Sequence, residues 1–197
     1  MQNIFLSKHK PEDYVKKDGK GNYPPAPKKC PHKDCGINLE MKKHGYYTRF
    51  LTTLKFSGLI RIRRYKCPKC GRTLSMLPSF CIPRVSYSSL LVLMLLRYTL
   101  TAGSKRKAIK TFGRYILSIS RRLISKYLSR FRENRQLIQY CLNQLSPDNI
   151  ALGRLSGDAE WTKRFLFGIR PYLMPEFCVD FHKIMGKSFM SLQNSIA

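Results

Sequence analysis

Two pairs of cysteines carry the most specific chemistry in this chain. Cys30 and Cys35 sit in CPHKDCG, Cys67 and Cys70 in CPKCG, and 31 residues separate the pairs. Thiolates are soft ligands, and two short turns that each present a pair of them meet the tetrahedral preference of Zn2+ once a folded-back hairpin brings the turns together. Gly36 and Gly71 follow the second cysteine of each pair, where a positive φ lets backbone amides turn toward sulfur. Cys30, Cys35, Cys67 and Cys70 are therefore the candidate Zn2+ ligands, although the first pair is C-x4-C rather than the commoner C-x2-C. His32, inside the first pair, is an alternative ligand, set against the plainer reading of an exposed loop residue. A redox reading of CPKC needs a βαβ setting and leaves the second pair without a role. Cys81, Cys141 and Cys178 have no partner at ligand spacing and read as small buried hydrophobes.

Acid chemistry is harder to assemble. The stretch FCVDFHK reads as an apolar strand carrying Asp180, a place where a metal-binding carboxylate could sit. Phosphoryl transfer by two divalent ions needs further carboxylates, and none of the 17 residues after Asp180 is acidic. Asp148, Asp158, Glu160 and Glu176 read as surface acids, and His182 as a packed or exposed histidine. No catalytic residue is assigned, and the chain is expected not to be an enzyme.

The elements that must position the cysteines follow from periodicity. YYTRFLTTL (46–54) and LIRIRRYKC (59–67) alternate apolar with polar residues and read as antiparallel strands joined near Ser57-Gly58, with RTLSML as a third strand. Residues 30–85 thus read as a zinc ribbon; its core is small, so the metal should supply folding free energy on the order of 10 kcal/mol. Residues 86–146 change to helical spacing. Tyr87–Thr101 is a hydrophobic helix, Lys105–Phe112 a second one ended by Gly113, and a longer helix begins after Ser120, with a break near Glu133-Asn134. In that helix Leu123, Ile124, Tyr127, Leu128 and Phe131 share one side, while Arg122, Ser125, Lys126, Ser129 and Arg132 share the other with Arg121 at its edge. Helix, glycine turn and a helix with one cationic face make a helix-turn-helix pattern. The expected fold is α+β: a small antiparallel β zinc ribbon followed by an all-α helix-turn-helix-like bundle. Residues 1–29 read as a flexible basic arm. Residues 147–197 read as a C-terminal helical extension of uncertain role whose Trp161, Phe165, Phe167 and Phe181 close the core.

Charge says what such a chain meets. Its 197 residues hold 37 Lys and Arg against 11 Asp and Glu, a formal +26 that favours a polyanionic partner. The apolar run LLVLMLL falls well short of the roughly 20 residues that span a bilayer, and MQNIFLSKHKPED holds no apolar stretch long enough for a signal peptide. A cytoplasmic, nucleoid-associated protein of a bacterial cell is expected, with no membrane partner and a homodimer as an open option.

CPHKDCG, RYKCPKCGRT and LPSFCIPRVSYS, followed by the helix-turn-helix pattern, resemble a bacterial family of unknown function associated with mobile elements. They are also similar to the N-terminal zinc-ribbon and helix-turn-helix regions of insertion-sequence transposases, over residues 24–140. The resemblance implies DNA binding in a transposon or transcription-regulation context, with the four cysteines as zinc ligands and no catalytic residues. On that reading Lys28, Lys29, Arg61, Arg63 and Arg64 hold phosphates; Lys105, Arg106, Arg121, Arg122, Ser125, Lys126, Ser129 and Arg132 form the nucleic-acid face of the helices. An RNA-binding zinc-ribbon protein and a truncated transposase or nuclease are the rival readings.

Overall fold

A computed structural model describes residues 1–16, 23–114, 119–145, 158–168 and 173–191. The alternating stretch on either side of Thr53–Phe56 folds as a long antiparallel hairpin of β2 (Lys42–Thr52) and β3 (Ser57–Lys66), paired from Thr52↔Ser57 to Lys42↔Lys66. The Thr53 hydroxyl holds its turn by accepting from the amides of Lys55 and Phe56. Gly45, at φ 81°, lies inside the one register shift of this pair, between Lys43 and Tyr46, where an extra residue must turn out of the ladder. β4 (Thr73–Pro78) adds antiparallel to β3, and β1 (Gln2–Phe5) adds parallel to β4. On the other edge β6 (Val85–Ser88) meets β2 at Thr52↔Tyr87, and β5 (Cys81–Ile82) pairs with β6.

The strand order is β1-β4-β3-β2-β6-β5. Only Ser79 and Phe80 separate β4 from β5, so the chain draws the far edge of the sheet back toward its beginning and the sheet curls nearly into a barrel. This corrects the expected small antiparallel zinc ribbon with a separate helix-turn-helix-like bundle: the ribbon's three strands are the middle of a mixed six-stranded sheet. Strand alternation reports that a segment pairs; it is silent on a parallel partner some 70 residues away. The first residues are likewise not a loose arm, because β1 belongs to the sheet and α1 (Pro11–Lys16) buries Tyr14 against it. Residues 17–22 of that arm lie outside the described residues.

Both faces of the sheet are used. Ile4, Leu51, Ile60, Ile62 and Leu77 share a cluster with Tyr14 on one side, and Tyr65, Leu74 and Met76 pack with cysteines on the other. The turn that links β5 to β6 consists of Pro83 and Arg84, with Arg84 at φ 60°. That left-handed backbone usually calls for Gly or Asn at this turn position and costs arginine about 1 kcal/mol or more. Arg49, reaching from β2, fixes the turn by donating to the carbonyls of Ile82 and Val85.

The helices follow the sheet. α2 (Ser89–Thr101), capped by the Ser88 hydroxyl, buries Leu91, Val92, Leu93, Leu95 and Leu96 around its circumference and forms the axis of the helical core. α3 (Lys105–Phe112) and α4 (Arg121–Glu133) start at Ser104 and Ser120, whose hydroxyls accept from Lys107 N and Leu123 N. In their connection, 115–118 lie outside the described residues. Asn134, fully buried, separates α4 from α5 (Arg135–Leu145): its amide donates to the carbonyls of Arg130 and Ser191. α6 (Asp158–Gly168) and α7 (Met174–Met185) complete the core. Trp161 stacks on Phe165 at 5.3 Å, and Phe181 is buried, whereas Phe167 lies exposed. Asp180 sits on a helix, not the expected strand; Pro175 in its first turn and Gly186 after its last bracket that helix. Residue 146 and, in the expected C-terminal extension, residues 147–157, 169–172 and 192–197, Asp148 among them, lie outside the described residues, as does the side chain of Asp158. Among the described residues no helix is long and apolar enough to cross a membrane.

Candidate metal centre and cationic surface

The cysteines converge at the open end of the β2–β3 hairpin. The first pair precedes β2 and the second follows β3, so hairpin closure brings the two turns face to face. Each turn is shaped by its own backbone: the amides of Cys35 and Gly36 donate to His32 O, the amide of Gly71 donates to Cys67 O, and the amide of Cys67 donates to Arg72 O. Gly36 and Gly71 take φ values of 53° and 67°, which suit glycine. All four sulfurs lie within 4.8 Å of one another. Cys30 and Cys70, and Cys35 and Cys67, are each 3.8 Å apart. That is too long for a disulfide, but a tetrahedral ion held at about 2.3 Å from each sulfur requires sulfur-to-sulfur edges of about 3.8 Å. The donor set can therefore hold a metal ion.

Its surroundings divide the ligands. Burial pushes the Cys30 thiol up, whereas the Arg72 amide and guanidinium facing Cys70 draw that thiol below the ordinary range. Arg72 also reaches Asp34 at 2.6 Å and so ties the second turn to the first. Asp34 is in consequence held below the usual carboxylate range, first by its hydrogen bond from Arg72. His32 is not part of the cluster; its Nε2 is buried without a hydrogen-bond partner. Cys81, Cys141 and Cys178 are buried in the cores, where burial raises all three thiols.

The cationic residues singled out from sequence fall into distinct places. Lys28 and Lys29 are exposed just before the first knuckle, and Arg61 is exposed on β3. Arg63 is not: it is buried, with its guanidinium 4.6 Å from the Tyr46 ring centre and 5.5 Å from that of Tyr65. A cross-strand pairing Tyr46↔Arg63 makes this a packing cation and takes it out of reach of phosphate. Arg64 is half-buried and donates to Thr73 Oγ1.

On the helices Lys105, Arg106, Arg121, Arg122, Lys126 and Arg132 are all exposed. Ser125 and Ser129 are committed locally. Ser125 donates to Arg121 O and accepts from Lys105 Nζ at 2.7 Å, and Ser129 donates to Glu133. Lys105, Ser125, Ser129 and Arg132 line one cleft of about 570 Å³ where α3, α4 and α5 meet. Sequence reasoning missed Arg84, Arg130 and Lys187, which line a second cleft with Lys126. Arginine directly after proline in CIPRVSYS, where a tight turn favours glycine, was the available signal.

No curated protein and no solved structure matches this chain. Residues 30–121, from the first cysteine of the cluster to the start of α4, match a family described as a domain of unknown function (DUF6431), to which this stretch is therefore similar.

Proposed function

We propose that this chain is a zinc-dependent nucleic-acid-binding protein that engages double-stranded DNA through α3 and α4 and catalyses no reaction. The observation that carries the reading is the cationic arc of those helices. Lys105, Arg106, Lys107 and Lys110 on α3 and Arg121, Arg122, Lys126 and Arg132 on α4 are exposed, and Glu133 is the single acid in α3, α4 and α5. Such an arc costs self-repulsion unless phosphates share it. Zn2+ suits four thiolates at tetrahedral edges, and four thiolates already complete a structural site. A purely binding role rests on the sequence resemblance, which supplies no catalytic residues. The mobile-element or transcriptional setting rests on the sequence resemblance.

Duplex binding measured from 50 to 200 mM salt tests the reading. About six phosphate contacts would lower affinity on the order of a thousandfold across that range. Replacing Arg106 and Arg122 with alanine should flatten the slope, and a flat salt response in the native protein would sink the proposal.

A second reading has its own support. Tyr46 and Phe50 on β2 and Leu59 on β3 are exposed, with the pair Phe50↔Leu59 directly opposed and Arg61 two residues along β3. Unpaired bases of RNA stack on such a surface. Tighter binding to single-stranded RNA than to duplex DNA, lost in Phe50→Ala, would favour it.

A further inference from the structure

The Pro83-Arg84 turn opens onto a cleft of about 560 Å³ between the sheet, α4 and the segment after α7. Four cationic side chains line it: Arg84 from the turn, Lys126 and Arg130 from α4, and Lys187 beyond α7. Among the described residues no carboxylate lines it, and none of the four cations has an ion pair. Four like charges around one cavity repel unless an anion joins them.

The walls carry a second, independent sign. Arg130 Nε, His182 Nδ1 and Ser191 Oγ are buried and find no hydrogen-bond partner among the described residues, and His182 is only 8% exposed. Buried polar atoms left unpaired are rare in folded proteins because each loses its hydration without replacement. Here three lie on residues lining the same cleft. Arg130 Nε can only donate, the Ser191 hydroxyl can rotate to donate, and His182 Nδ1 donates in one tautomer. A donor-rich wall without acids suits a compact anion with several acceptor oxygens. The left-handed backbone of Arg84 fits the same purpose, since strain of this kind persists where surrounding contacts over-determine it, as Arg49 does here.

We propose that this cleft is a phosphate-binding site, with Arg84 and Arg130 as its principal ligands. The phosphate can belong to a nucleic-acid strand or to a small phosphorylated molecule; the chemistry recognised is the same. The site does not depend on duplex binding by α3 and α4. Lys126 is common to both surfaces, so the test uses Arg84 and Arg130, which lie outside the proposed duplex interface.

The full metal-loaded chain is titrated with inorganic phosphate, followed by calorimetry or phosphorus NMR. One phosphate should bind, at least tenfold more weakly in both Arg84→Gly and Arg130→Gln, and unchanged in Arg164→Gln, an exposed arginine on α6 outside both surfaces. Glycine relieves the left-handed backbone, so Arg84→Gly should keep or raise the melting temperature, which separates a lost ligand from a lost fold. Oligonucleotides with and without a 5′ phosphate then locate the source. If their affinity falls in Arg84→Gly, the phosphate is carried by nucleic acid; if only the small anion is lost, the ligand is a small phosphorylated molecule, and both results support the site. Absence of saturable phosphate binding, or equal binding by native protein, Arg84→Gly and Arg130→Gln, overturns it, whatever the duplex measurements give.

Discussion

At the scale of single residues, the four cysteines and the arginines beside them behave in opposite ways. Each cysteine in the cluster depends on the other three, because a tetrahedral site that loses one thiolate loses most of its affinity. Cys67→Ser should abolish stoichiometric zinc binding and destabilise the chain by about 3 kcal/mol or more, lowering the melting temperature by about 10 °C. Cys141→Ser, in the helical core, should leave the zinc content of the purified protein unchanged. Metal analysis beside thermal melting separates the two, and equal zinc content in both variants would contradict the assignment. The Arg72–Asp34 bridge, by contrast, is exposed on both sides, so water and salt screen it and it should add little to stability. The cysteines were legible in the sequence because ligand spacing is a local property. Arg63 was not, since the tyrosine that covers it arrives from the neighbouring strand, and a cation read in isolation always looks solvated.

At the scale of elements, caps and packing decide what forms. Ser104 with Gly113, and Ser120 with Asn134, bound α3 and α4, and these are signals that a sequence carries within a few residues. FCVDFHK reads as a strand on its aromatic and β-branched residues while the wider 147–197 reads as helical; α7 is helix, and the proline and glycine at its ends are the better guide. β1 and α1 were invisible for a different reason. Four and six residues are too few to announce themselves, and their stability comes from tertiary contact. Tyr14 is the anchor of α1: nearly fully buried, edge-on to Phe80, and donating to Arg61 O at 2.8 Å. Tyr14→Ala should cost about 3 to 5 kcal/mol and Tyr14→Phe about 1 kcal/mol, measurable by urea denaturation. Burial pushes the Tyr14 hydroxyl well above its ordinary value, so the folded chain keeps it neutral while the unfolded chain ionises it near pH 10. Its contribution is therefore complete below that pH and drains away as pH rises beyond it. Alkaline loss of stability should be shallower in Tyr14→Phe; an identical profile would rule out this residue as its source.

At the scale of the whole molecule, sheet and helices share interior. Val179 of α7 enters the sheet's own cluster with Ile4 and Leu77. α7 also packs beside β1 and α2. Unfolding should accordingly be a single transition in which helical circular dichroism and tyrosine fluorescence are lost together, and chelation of the metal should lower both midpoints by the same amount. Separate transitions would show two independent units. The position of the cysteine cluster adds a consequence for how the chain reaches this state. Lys42↔Lys66 is the last pair of the long hairpin; Cys67 follows β3 directly, and Cys35 lies seven residues before the start of β2. Sliding β3 along β2 by one residue would displace one sulfur pair by about 3.3 Å and turn every side chain of the strand to the opposite face. An ion held by all four thiolates would not tolerate such an offset, so metal capture would act as a checkpoint on strand alignment, closing its clasp only on the correctly zipped hairpin.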